Sequence, residues 1–158
     1  MVQMFNHGIN IIGMWMVIEI IERQTGIKKI SQLSGIANTA PVLTIFLLII
    51  ALANIALPLT NAFVGEFMMF SGLYNSNLWF AVVGGLGIIL SAVYTLNMIQ
   101  KVFYGSVNAS TAEVKDLGLN EKIALGIIVV VIFIFGVYPQ PLIDLTASSA
   151  NALLKSIK

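Results

Sequence analysis

A single charge interrupts the longest apolar stretch of this chain. Between Ile30 and Gln100, a span of 71 residues, Glu66 is the only acidic or basic side chain. Soluble domains carry about 25% charged residues, whereas this chain of 158 residues carries 9% and is 58% hydrophobic. Too few ionisable groups are present to cover a globule in water, so the sequence predicts a protein that lives in lipid.

Composition also excludes several classes of function. The net charge is +1 and the basic residues are scattered, so we expect no nucleic-acid partner. Cysteine is absent and there is one histidine, which leaves no ligands for an iron–sulfur cluster or a histidine-rich metal site. The loop glycines form no phosphate-binding motif. We therefore expect no metal, redox group or NADH site in this chain.

The charges fall in clusters, and the uncharged segments between them predict an all-α bundle of about four transmembrane spans. Treated as one transmembrane unit, 1–158, the chain has spans at about 1–23, 40–73, 78–103 and 122–138, followed by an amphipathic tail at 142–157. Six of the eight basic residues lie in the two loops on one side of this arrangement. By the positive-inside rule, that side is cytoplasmic.

The span at 40–73 is too long for one straight helix. At about 1.5 Å per residue it would cover about 50 Å, against a hydrocarbon core of about 30 Å. Pro58 explains the excess length, because proline donates no backbone hydrogen bond and clashes with the carbonyl of the preceding turn. The sequence therefore predicts a discontinuous helix broken at Pro58, with Glu66 in its second half.

Glu66 is the first candidate for chemistry. A charged residue at the centre of a membrane helix costs about 2.5–3.5 kcal/mol on insertion scales and usually faces the interior of a bundle. Its position after a helix break favours a proton relay, since transporters build ion sites at such breaks. The alternative is a structural acid held by a basic residue of a neighbouring chain.

Other polar side chains are secondary candidates. Gln3, His7 and Asn10 are spaced as one stripe on the first helix, and histidine titrates near neutrality. His7 is therefore either a second proton relay or a structural histidine, and Asn10 is a further proton-path candidate. On the third span, Tyr94 and Lys101 lie on a polar line that ends at the cytoplasmic interface, where Lys101 either extends to the headgroups or feeds protons inward.

Four segments carry a likeness to a known family. They are Asn6-His7-Gly8, then Leu57-Pro58 followed by Phe63-Val64-Gly65-Glu66-Phe67, then Lys101-Val102-Phe103-Tyr104-Gly105, and finally Gly136-Val137-Tyr138-Pro139-Gln140-Pro141. In this order they resemble the C-terminal portion of subunit M, or chain 4, of proton-pumping NADH:quinone oxidoreductase (respiratory complex I). That subunit belongs to the antiporter-like family.

The resemblance implies a function for the candidate residues. In the family the broken helix carries an acidic residue of the proton pathway, which Glu66 matches, and His7 matches the histidine on the preceding helix. The other membrane-arm subunits, the lipid bilayer and protons are the implied partners. Flavin and iron–sulfur clusters are expected in other subunits, and the implied location is a bacterial inner membrane.

Two further interpretations stay open. The polypeptides of multisubunit cation/proton antiporters share the same repeat, so the chain is alternatively an antiporter subunit. The resemblance also implies that the N-terminal half of the subunit is missing, with Met1 either an internal methionine or the start of a truncated product. The second alternative is accordingly a truncated structural bundle that transports nothing.

Overall fold

The computed structural model describes residues 1–157, and every regular element in that range is helical. The α-helices are α1 (Val2–Thr25), α2 (Ile36–Thr39), α3 (Pro41–Asn54), α4 (Asn61–Ser76), α5 (Leu78–Phe103), α6 (Leu119–Val137) and α7 (Gln140–Ile157). A single turn of 3₁₀ helix at Ile30–Gln32 precedes α2. The all-α architecture predicted from the sequence is confirmed.

Within the described range, α1, α5 and α6 are long and apolar enough to cross a membrane, and α3 is a shorter apolar helix. Helices α3 and α4 follow one another with an irregular segment, residues 55–60, between them. Counted together as one discontinuous span, they give the four crossings that the sequence predicts. The interruption includes Pro58, so the predicted break is confirmed.

The backbone of the break is strained. Ala56 and Leu59, on either side of Leu57-Pro58, have φ angles of 58° and 76°. Each such conformation of a residue other than glycine costs about 1–3 kcal/mol and persists only where the surrounding structure holds it. The hydroxyl of Thr60 donates to the carbonyl of Leu57 at 2.6 Å and ties the end of the break to its middle.

Helix α6 supports the break from one side. A Cβ atom at Gly136 would overlap the backbone of Leu59 and Thr60, so the absence of a side chain lets α6 lie directly on the irregular segment. Elsewhere in the bundle, Gly13 of α1 lies against Ile50 of α3, where a Cβ would come within 3.0 Å of the Ile50 side chain. These glycines set the close spacing of the helices around the break.

Helix α1 lies between α3, α4 and α6, and the buried core follows its length. Buried apolar side chains along this core are Val17, Ile20, Leu43, Leu47, Ile50, Leu125 and Ile132. Helix α5 is different, because its first half packs on α4 while the face bearing Leu86 and Leu90 is exposed. The second half of α5 joins the core through Ile99, Val102 and Phe103, so α5 lies at the side of the bundle of α1, α3, α4 and α6 and contributes its C-terminal end to the core.

The largest differences from the sequence-based spans are three residues, at the end of α4 and at the start of α6, and local capping explains both. Helix α4 continues to Ser76, because Asn77 ends it and its side chain then accepts a hydrogen bond from Trp79 N–H at 2.9 Å to begin α5. Helix α6 begins at Leu119, where the Glu121 carboxylate accepts from the backbone N–H of Gly118 at 2.8 Å. Capping groups of this kind satisfy the unpaired donors of a helix start.

The loop between α5 and α6 caps α3. The Asp116 carboxylate accepts from Val42 N–H at 2.9 Å and from Leu43 N–H at 3.0 Å, the first N–H groups of α3 after Pro41. It also accepts from its neighbour Leu117 N–H at 2.8 Å. One carboxylate therefore satisfies donors that α3 leaves unpaired and fixes the loop to the start of the broken span.

Partial burial by itself raises the pKa of the Asp116 carboxyl, but the N–H groups of Val42, Leu117 and Leu43 and the charge of Lys122 outweigh it. The pKa therefore lies below the ordinary value of 3.8. Because the folded-state pKa is the lower one, ionised Asp116 stabilises the fold above the unfolded-state pKa. This contribution is lost as the pH falls through the folded-state value.

Asp116→Asn should lower the thermal unfolding midpoint of the chain in detergent at neutral pH, by an amount corresponding to about 1 kcal/mol, the usual effect of losing a cap. The difference between the two proteins should shrink below about pH 4, where carboxyls protonate. Glu113→Gln, at an exposed position of the same loop, is the matched control and should leave the midpoint unchanged. Equal midpoints for Asp116→Asn and Glu113→Gln at neutral pH would contradict the capping role.

Candidate functional site

Glu66 lies in the second turn of α4, just after the break, and is half-buried. The side-chain amide of Gln3 on α1 donates to Oε1 of Glu66 at 3.4 Å. Its other oxygen, Oε2, is buried and has no protein hydrogen-bond partner among the described residues. The carboxyl group is thus held between two helices with one oxygen available for a proton or a further donor.

Gly65 brings the two helices together at this point. A Cβ atom on Gly65 would overlap the Cα and the side chain of Gln3, so α1 and α4 approach here as closely as backbones allow. Small residues permit such approach between membrane helices. The hydrogen bond from Gln3 to Glu66 therefore depends on the glycine that precedes the acid.

His7 is also on α1, one turn beyond Gln3, and it is exposed. Among the described residues its imidazole forms neither a hydrogen bond nor an ion pair with Glu66. The polar stripe predicted for α1 consists of Gln3, His7 and Asn10, and the structure differs from this prediction at His7. The structure buries Asn6 and Asn10 completely and leaves His7 on the adjacent face.

Asn6 and Asn61 form a reciprocal pair that the sequence reasoning missed. The Asn6 side chain donates to the carbonyl of Asn61 at 2.7 Å, and the Asn61 side chain donates to the carbonyl of Asn6 at 3.1 Å. Asn61 is the first residue of α4, so the pair joins α1 to the end of the break. The sequence did indicate that Asn6 is buried, because Asn6, Asn10, Gly13 and Val17 are spaced as one helix face.

The secondary candidates on α5 lie apart from this group. Tyr94 is exposed and accepts a hydrogen bond from Ser91 on its own helix at 3.1 Å. Lys101 is exposed in the last turn of α5. Neither side chain contacts Glu66 or Gln3 through a described hydrogen bond. The structure thus joins Gln3 and Glu66, while His7 and Asn10 lie one and two turns further along α1 without a described hydrogen bond to either.

These features define a class of protein: a polytopic helical membrane protein in which an acid follows a break in a spanning helix. Irregular backbone at membrane depth is tolerated only inside protein or beside a wet cavity, and transporters use it to build ion sites. Among residues 1–157, no three His, Asp or Glu side chains assemble into a group that could hold a metal ion. The chemistry available at this site is proton or ion handling by one carboxyl group.

The chain belongs to the family described as NADH:quinone oxidoreductase/Mrp antiporter, TM, whose model matches residues 1–95. It is 33% identical over 153 residues to NADH-quinone oxidoreductase subunit M of Rickettsia prowazekii, covering 96% of this chain and 31% of that protein. It is 27% identical over 154 residues to F(420)H(2) dehydrogenase subunit M of Methanosarcina mazei, covering 98% of this chain and 31% of the relative.

A solved structure with the same fold is respiratory complex I from Thermus thermophilus with bound NADH. The match has a TM-score of 0.67 and 33% identity, and it covers 75% of this chain and 25% of the matched chain. The resemblance carried by the four sequence segments is confirmed. The chain spans about a third of the length of the curated relatives it matches.

Gly65→Ala should destabilise the bundle, because the added methyl group has no space against Gln3. Overpacking of this kind costs about 1–3 kcal/mol. Gly72→Ala lies on the same helix, where nothing is within 4 Å of the place an added methyl group would take. It is the matched control and should leave stability unchanged or slightly higher. Thermal unfolding of both variants in detergent measures the difference, and equal midpoints would show that α1 and α4 are not in close contact at Gly65.

Proposed function

We propose that this chain is part of an antiporter-like membrane subunit of NADH:quinone oxidoreductase and takes part in proton translocation coupled to electron transport. The observation that supports the proposal most directly is the position of Glu66, which follows a helix break and is joined to a second helix by Gln3. The names of the relatives agree with this assignment.

In this proposal Glu66 takes up and releases the proton, and His7 exchanges it from the adjacent turn of α1. Gln3 donates to one oxygen of Glu66 in the ionised form, which leaves the second oxygen to accept the proton. Histidine is suited to the next step, since either ring nitrogen binds or releases a proton near neutral pH. Asn10, Tyr94 and Lys101 are proposed as more distant parts of the path.

The energy for translocation comes from elsewhere. Moving one proton against 100 mV requires about 2.3 kcal/mol, and we propose that flavin and iron–sulfur chemistry in other subunits provides it. The partners are then the other membrane-arm subunits, together with lipid and protons, and the location is a bacterial inner membrane. Since the relatives include an F(420)H(2) dehydrogenase subunit, the electron donor is a property of those other subunits.

A subunit of a multisubunit cation/proton antiporter is the second candidate, because the family description covers both kinds of complex. The named relatives that match nearly the whole chain favour the dehydrogenase. The neighbouring genes separate the two, since the operons for dehydrogenase and antiporter encode different partner subunits.

Glu66→Gln, made in the assembled complex, should reduce proton pumping and coupled NADH oxidation by about 10-fold or more. A positioned proton-transfer group contributes roughly 10²–10⁴-fold to a rate, and glutamine keeps the shape and the acceptor for Gln3 but cannot ionise. Glu66→Asp should be milder, because it retains the carboxyl. Proton uptake by membrane vesicles and NADH oxidation rates provide the measurement.

The control for this experiment is Glu113→Gln, which removes a carboxylate from an exposed loop and should leave pumping unchanged. Assembly of the complex is checked in each variant by native electrophoresis. Normal pumping by Glu66→Gln in a correctly assembled complex would rule out the relay role and favour a structural acid.

His7→Ala should cause a smaller loss of pumping than Glu66→Gln, because His7 forms no hydrogen bond with the Glu66 carboxyl among the described residues and so acts on it less directly than Gln3 does. If His7 is a relay, His7→Gln should resemble His7→Ala, since glutamine forms hydrogen bonds without titrating. Recovery of pumping in His7→Gln would identify hydrogen bonding as the contribution of His7, and no loss in either variant would identify a structural histidine.

A further inference from the structure

The helix break carries a group of buried polar atoms whose hydrogen bonding the proposed relay does not explain. Six buried side-chain atoms have no protein hydrogen-bond partner among the described residues, and all of them lie on α1 or on the broken span: Gln3 Oε1, Asn6 Oδ1, Asn10 Nδ2, Asn10 Oδ1, Asn54 Oδ1 and Glu66 Oε2. The first and last belong to the site of Glu66. The remaining four belong to three asparagines.

The packing register places these asparagines around the end of α3. Gly13 of α1 lies against Ile50 of α3, while the earlier residue Asn6 is bonded to Asn61 beyond the end of α3, so the two helices run in opposite directions. Asn10 is three residues before Gly13 and Asn54 is four residues after Ile50, which correspond to about 4.5 and 6 Å along the respective axes. One turn further, Asn6 is bonded to Asn61. Asn10 and Asn54 therefore lie at about the same depth where α3 ends, with Asn6 one turn further along α1.

Two of the three asparagines are closed to the surroundings. Asn6 and Asn10 are both 0% exposed, and α6 covers the break through Gly136. Burying an amide without a hydrogen-bond partner costs about 1–3 kcal/mol by protein mutational data. Asn10 has neither a donor nor an acceptor partner among the described residues, so its environment calls for a ligand that supplies both.

The inventory of groups identifies the chemistry of that ligand. Three amide oxygens require donors, and the amide nitrogen of Asn10 requires an acceptor. A monovalent cation would satisfy the oxygens but would be repelled by the amide N–H groups. Water donates and accepts at once and binds buried polar groups through about three hydrogen bonds.

We propose that Asn6, Asn10 and Asn54 form a binding site for ordered water at the end of α3. The bound water completes the hydrogen bonds of the three amides beside the interrupted backbone, where lipid offers none. The water thereby stabilises the break. This proposal is argued from the burial of the asparagines and does not depend on the function proposed for Glu66.

The test compares two fully buried asparagines by thermal unfolding of the 158-residue chain in detergent. Asn61 has protein partners for both amide atoms, so Asn61→Val should lower the midpoint. If Asn10 binds water, Asn10→Val should also lower it, by about 2–4 °C or more, the shift expected for losing one such group in a chain of this size. Valine matches asparagine in helix propensity, which removes that difference from the comparison.

An unfolding midpoint of Asn10→Val that is unchanged or higher would overturn the proposal. If the site is dry, Asn10→Val removes an unpaired buried amide and the midpoint stays level or rises, while Asn61→Val still lowers it. Should Asn10→Val fail to fold, Asn54→Val replaces it, because Asn54 is only partly buried and its substitution is milder. A lower midpoint again indicates bound water, and an equal or higher midpoint again indicates a dry site.

A second measurement separates water from a cation. The midpoint of the unsubstituted chain should be equal in sodium, potassium and choline chloride at one ionic strength. A rise in sodium or potassium that disappears in Asn10→Val would identify a cation site and overturn the assignment to water. Neither measurement depends on pumping. If the water site is disproved, the function proposed for Glu66 is unaffected. If that function is disproved, the water site is likewise unaffected.

Discussion

A helix interrupted inside a bilayer must satisfy its irregular backbone from within the protein, because the hydrocarbon offers no hydrogen-bond partners. In this chain the requirement determines which helices can flank residues 55–60. Helix α1 supplies Asn6, which exchanges two hydrogen bonds with Asn61, and α6 supplies Gly136, which lets a second backbone lie against the break. The central position of α1 between α3, α4 and α6 follows from this constraint.

The fold was largely predictable because its determinants are local. The apolar run at 40–73 exceeds the membrane thickness and contains a proline, so the break at Pro58 follows from length and backbone chemistry alone. The cap on α3 was not predictable. Asp116 is 74 residues from Val42 in sequence, and nothing near either residue indicates that they meet. A cap between residues so far apart in sequence can be predicted only when the three-dimensional path of the α5–α6 loop is known.

The candidate site was predictable in its acid but not in its surroundings. Glu66 stands out by composition, and its place after the break follows from Pro58. Chemical reasoning chose His7 on α1 because histidine titrates, whereas the packing buries Asn6, its neighbour in sequence. Adjacent residues on a helix point about 100° apart, so chemistry alone cannot tell which of two neighbouring polar residues faces the seam. The periodicity of Asn6, Asn10 and Gly13 carries that information.

The polar groups at the break also make the two spans depend on each other. Gln3, Asn6 and Asn10 occupy three successive turns of α1, so an isolated α1 would present three amides to lipid, each at a cost in free energy. The broken span has the converse problem, since Asn61 and the irregular backbone need donors and acceptors from a neighbour. Each element satisfies the other, and Gly65 brings them close enough to do so. The close packing of α1 and α4 that lets Gln3 bond to Glu66 therefore also stabilises the break. The geometry of the candidate site and the stability of the bundle depend on the same contact.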